Sequence, residues 1–139
     1  MKTLLMALIL TASSKGMAQE CQDYQTKIIF DQKTVIEKEV LCKKKTADNT
    51  VYYVSKSCAK ETCDILVKKK SAIKIKNYTG NMGSPGFKLC FAMGGVPQIF
   101  EFQALKNPSE WESSERCFFG KDFVEISLLM REWKGFVNR

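Results

Sequence analysis

Six cysteines and no histidine bound the chemistry open to this chain. The closest pair lies in "SCAKETC", where four residues separate Cys58 from Cys63 among lysines. A metal clip, a redox couple and a structural disulfide all use paired cysteines. A zinc clip repeats its two-cysteine unit or adds histidine, and the sequence does neither. A thioredoxin-like couple needs Cys-x2-Cys at a helix start after a strand, whereas Ala-Lys-Glu-Thr fills a wider gap between two strand-like runs. The pair reads as a staple.

Other catalytic arrangements are equally thin. The commonest general base, histidine, is absent. Ser113-Ser114 lacks a nucleophile-elbow pattern, and "GNMGSPG" has no phosphate-binding frame, so a turn is the better reading. Glu110, Glu112 and Glu115 have the residue type for glycoside chemistry, but "SEWESSER" offers no apolar flank to raise a carboxyl pKa. The expectation is no enzyme, no cofactor and no metal.

The compartment follows from the other end. Lys2 precedes an apolar run over residues 4–10, and Gly16 and Ala18 stand at −3 and −1 of a cut before Gln19. Residues 1–18 therefore read as a signal peptide. The run is far short of the roughly 20 residues that span a bilayer, so no transmembrane segment is expected after cleavage. Cys21 follows Gln19-Glu20, which argues against a lipid anchor. Export, to the periplasm or the extracellular space, makes Cys21, Cys42, Cys58, Cys63, Cys90 and Cys117 disulfide candidates. Six cysteines allow 15 pairings, so sequence does not fix connectivity; locality favours 58–63, 21–42 and 90–117.

Charge is unevenly spread. Residues 19–80 hold 13 lysines and 8 acids, while residues 81–139 hold 4 lysines, 3 arginines and 7 acids. The first segment is thus +5 and the second neutral. Lys43, Lys44, Lys45, Lys68, Lys69, Lys70, Lys74 and Lys76 are the candidate anion-binding residues, suited to an anionic envelope component or an acidic protein. Lys106, Lys121 and Lys134, in the neutral half, are expected to be bystanders. Nucleic acid is not an expected partner: the charge is almost all lysine and no recognition motif accompanies it.

The elements that must position these residues read as α+β, β-rich and disulfide-stapled. "YQTKIIF", "TVIEKEVLC", "TVYYVSKSC", "DILVKKK" and "AIKIKNY" carry β-branched, aromatic or alternating residues and predict an antiparallel meander in the N-terminal half. In the second half Ser84, Pro85 and Gly94 or Gly95 bracket a short helix. "VPQIFEFQAL" alternates Ile99, Glu101 and Gln103 against Phe100 and Phe102, and "ERCFF" predicts another strand. Asp122 and Glu125 resemble a capping box opening a C-terminal helix with a stripe of Phe123, Ile126, Met130 and Trp133; a strand through "FVEISLLM" competes with it. Residues 19–139 are read as one small domain, with a sub-boundary near 80.

"SPGFKLCFAMGG" followed by "RCFFGKDF" resembles a short cysteine-containing bacterial module of unknown function, found in small exported proteins and lipoproteins, some bearing a hemolysin label. The resemblance spans residues 84–133 and rests on Pro85, Cys90, Gly94, Gly95 and Cys117-x-Phe119. Ser84, Gly86 and Leu89 depart from the pattern, Asp122 arrives one residue late, and the later cysteine is missing. It implies export and no mechanism. Together these readings predict an exported non-catalytic binding or structural protein of the bacterial envelope or secreted fraction. The alternative is a secreted effector, an enzyme inhibitor or a membrane-active toxin, because pinned loops lower the entropy cost of binding.

Overall fold

A computed structural model describes residues 20–60, 63–67, 73–74, 84–133 and 136–137. Six strands close into an antiparallel barrel: β1 (Glu20–Phe30), β2 (Lys33–Lys45), β3 (Val51–Val54), β5 (Val96–Ala104), β6 (Glu112–Phe119) and β7 (Asp122–Glu125). The ring order is β1-β2-β3-β7-β6-β5, and it shuts where β1 pairs with β5. Only β1-β2-β3 and β5-β6-β7 are consecutive meanders, so the expected single N-terminal meander is half of a barrel whose strands come from both sides of residue 80. A short parallel pair, β4 (Ile73–Lys74) with β8 (Phe136–Val137), completes the sheets.

Strand alternation builds two cores from the one sheet. Phe100 and Phe102 of β5 point into the barrel with Tyr24, Leu41 and Phe123, while Ile99 is exposed outside. Their rings pack edge-on and offset, with Tyr53–Phe102 centroids 4.5 Å apart and Phe118–Phe123 5.4 Å apart. The lumen is therefore a packed core. The outward face buries Cys42, Val54, Cys117 and Val124 under helices α1 (Lys56–Ala59), α2 (Asp64–Val67), α3 (Pro85–Ala92) and α4 (Ile126–Glu132). Disulfides join Cys21–Cys42, Cys58–Cys63 and Cys90–Cys117, the pairing that locality favours.

Three segments differ from expectation. "DILVKKK" opens as the helical turn α2, because the Cys58–Cys63 link bends the chain back and Leu66 N–H donates to the Cys63 carbonyl. "TVYYVSKSC" is strand only to Val54, after which α1 begins. The Asp122–Glu125 segment is strand β7, paired with β6 and touching β3 at Val54↔Val124, and the helix starts at Ile126. The expected capping pair is consumed by that pairing: Asp122 accepts the Ser57 hydroxyl, and Glu125 turns into the barrel wall. The strand and helix readings of "FVEISLLM" each hold for one part.

Glu125 is buried and accepts the Tyr53 N–H and the hydroxyls of Ser114 and Ser127. Burial pushes its carboxyl above the ordinary 4.5, with those hydrogen bonds pulling the other way. A carboxyl raised by folding binds its proton more tightly folded than unfolded. Its contribution to stability is full below the unfolded value and is lost as pH rises through the folded one. Glu125→Gln, whose amide can donate to Ser114 while its oxygen still accepts from Tyr53, should remove that dependence. The stability of wild type relative to this variant should fall as pH rises through the range above the ordinary 4.5, read from urea midpoints. A relative stability that rises over the same window would refute the assignment.

Candidate anion-binding hollow

The chain leaves β3 at Val54 and runs beside β7 before turning into α1. Ser55 locks this path: its N–H and its hydroxyl both donate to the Phe123 carbonyl, at 3.0 and 3.2 Å, and its oxygen accepts the Phe123 N–H at 3.0 Å. One residue pair further out, the Ser57 hydroxyl donates to Asp122. The far wall is the tight β6–β7 turn, where Gly120 adopts φ 64° and Lys121 projects to solvent. In that left-handed conformation a side chain would be strained, which explains glycine there.

Between these walls lies an open hollow of about 510 Å³ lined by Ser55, Lys56, Ser57, Lys60, Lys121 and Asp122. Three lysines and one aspartate line it, and the aspartate carboxylate accepts from Ser57. Among the described residues none of the three lysines enters an ion pair. By contrast Lys27 is held by Glu101 at 2.7 Å, Lys38 by Asp23 at 3.3 Å and Lys43 by Glu20 at 3.8 Å. The Cys58–Cys63 disulfide fixes the segment that carries Lys60, so "SCAKETC" pins one wall of a cationic surface.

The lysines expected to bind anions are placed differently. Lys43, Lys44 and Lys45 end β2, and alternation sends Lys43 and Lys45 to the face of Tyr53 and Lys44 to the face of Tyr52. Lys74 lies in β4. Lys68, Lys69, Lys70 and Lys76 lie outside the described residues. Lys121, expected to be a bystander, lines the hollow with Lys56 and Lys60: no sequence signal groups the three, and the β3–β7 contact brings their segments together.

A second polar constellation sits in the barrel wall. The Arg116 guanidinium lies 4.3, 4.5 and 4.8 Å from the ring centroids of Phe100, Phe118 and Phe123. Its Nη1 reaches both Glu39 oxygens at 3.0 Å, its Nε donates to Gln98 at 2.9 Å, and Thr26 donates to Glu39 at 3.0 Å. Its hydrogen bonds are met within the wall and its cation is sandwiched by π-faces, so this cluster is a structural crosslink between β2 and β6.

Fold and hollow together define a disulfide-stapled six-stranded antiparallel barrel with helices packed on its outer face and a cationic surface hollow. No family model, curated protein or solved structure matches the chain.

Proposed function

We propose that this is an exported, non-catalytic binding protein of the bacterial envelope or secreted fraction, and that it holds an anionic ligand in the hollow between α1 and the β6–β7 turn. The observation that carries the reading is that Lys56, Lys60 and Lys121, which form no ion pair among the described residues, line walls already crosslinked by Ser55, Ser57 and a disulfide. A cation cluster on a rigid frame meets a polyanion without first ordering its own backbone, and that lowers the cost of binding. Three disulfides and the signal-like leader support export. The filled lumen leaves recognition to the outer surface.

The test is binding of inorganic polyphosphate, a soluble polyanion, followed by fluorescence or calorimetry. An exposed lysine at an anionic surface contributes about 1 kcal/mol, so Lys56→Gln/Lys60→Gln/Lys121→Gln should weaken binding on the order of 100-fold at low salt. Lys43→Gln/Lys44→Gln/Lys45→Gln should weaken it far less. Equal losses from the two sets would show a diffuse charge effect and remove the hollow as a site.

A further inference from the structure

The hollow does not stand alone at its end of the barrel. The β1–β2 hairpin turns at the same end: β1 and β6 both run antiparallel to β5, so the hairpin tip, the start of β5 and the β6–β7 turn share one end of the barrel. The tip is a two-residue turn with Asp31 at φ 48° and Gln32 at φ 60°, the hairpin geometry that follows the strand twist. Behind it, Ile29 is 79% exposed and Phe30 71% exposed. Ile36 on the returning strand, and Val96 and Ile99 of β5, are exposed as well. The β1–β5 ladder stops at Lys27↔Glu101, so residues 28–30 of β1 and 96–100 of β5 run on without pairing to each other.

Exposed apolar residues grouped in this way mark a contact surface. Their arrangement favours one occupant. Ile29 and Phe30 are successive strand residues and point to opposite faces of the ribbon. A folded partner would cover one face, whereas the fluid boundary between headgroups and acyl chains surrounds both. Cations share this end with the apolar tip: Lys33 stands opposite Phe30 and offsets Asp31, and Lys56, Lys60 and Lys121 line the hollow. Apolar residues beside unpaired lysines are the composition of an interfacial anchor on anionic lipid.

We propose that this end of the barrel docks on an anionic lipid bilayer, with Ile29 and Phe30 entering the headgroup boundary and the lysines of the hollow meeting lipid phosphates. The proposal rests on the anion-binding reading of the hollow and names its ligand class.

Vesicle flotation tests it, with pure phosphatidylcholine set against mixtures containing phosphatidylglycerol. Wild type should float with the anionic vesicles, more weakly as salt rises, and not with the neutral ones. Ile29→Ser/Phe30→Ser removes two exposed side chains and should leave the fold and polyphosphate binding unchanged while weakening vesicle partition by about tenfold or more. The lysine triple variant should lose both vesicles and polyphosphate. Wild type that binds polyphosphate but ignores anionic vesicles overturns lipid docking and leaves the anionic-ligand reading standing. Unchanged vesicle binding by the tip variant also overturns it, because the tip would then take no part. A tip variant that alters only concentration-dependent sedimentation would assign the patch to contacts between copies of the chain, again against the proposal.

Discussion

Glu39→Ala is expected to destabilise the barrel by about 2–4 kcal/mol, near the low end for breaking a buried ion pair. The reduction reflects geometry: the Arg116 side chain is 4% exposed, but Glu39 is 28% exposed, so water screens part of the pair. Without Glu39 the guanidinium keeps one acceptor, Gln98, and three ring faces, yet loses its counter-charge. The penalty is then that of a stranded charge, and it should shrink when the charge is removed as well. Glu39→Leu/Arg116→Met should recover at least half of the loss, because apolar side chains of similar volume often replace a buried pair at little cost. Urea denaturation with the disulfides intact measures both variants. A double variant no more stable than Glu39→Ala would show that lost packing is the larger effect.

That pair marks where sequence stops informing. Period-two alternation made Phe100 and Phe102 readable as one face of β5, and the same alternation places Val35, Glu37 and Glu39 on one parity of "TVIEKEVLC". It did not say that Glu39 faces inward, because a carboxylate among lysines looks solvated until an arginine 77 positions later is folded against it. Barrel closure was hidden for a related reason. The β1–β5 and β3–β7 pairings join segments that share no local signal, and a three-stranded meander looks the same in an open sheet and in a closed one. Strand alternation also divides the lysine run that ends β2. Adjacency in sequence suggests a patch, but adjacent residues on a strand leave by opposite faces, and Lys43 and Lys44 do so. The hollow draws instead on Lys56, Lys60 and Lys121, single lysines that composition does not distinguish from any other. Helix α3 was readable because its start and stop are chemical: Pro85 opens it and Gly94, at φ 86°, ends it.

The largest losses are expected around the Cys90–Cys117 disulfide, which ties α3 to β6 with both sulfurs fully buried. Closing a loop of sequence separation 27 is worth about 3–4 kcal/mol on the chain-entropy model, against about 2 kcal/mol for the separation of 5 between Cys58 and Cys63. Cys90→Ala/Cys117→Ala should therefore lower the urea midpoint more than Cys58→Ala/Cys63→Ala. Gly95 belongs to the same unit. A Cβ there would sit 2.5 Å from the Cys117 sulfur, 3.0 Å from the Cys90 sulfur and 3.0 Å from the Phe118 carbonyl oxygen. None of these is the free end of a flexible chain, so Gly95→Ala should cost about 2–3 kcal/mol by overpacking. Gly94 is the control: a Cβ there meets open space, and Gly94→Ala should cost only about 1 kcal/mol through its left-handed backbone. The two motif glycines thus differ in mechanism, one ending a helix and the other leaving room for sulfur. Removing the sulfurs should relieve the second and not the first. In the Cys90→Ala/Cys117→Ala background the Gly95→Ala penalty should fall by about 1 kcal/mol or more, while the Gly94→Ala penalty stays the same. If that background is too unstable to measure, a Gly95→Ala cost no larger than that of Gly94→Ala in the intact protein would by itself refute the crowding argument.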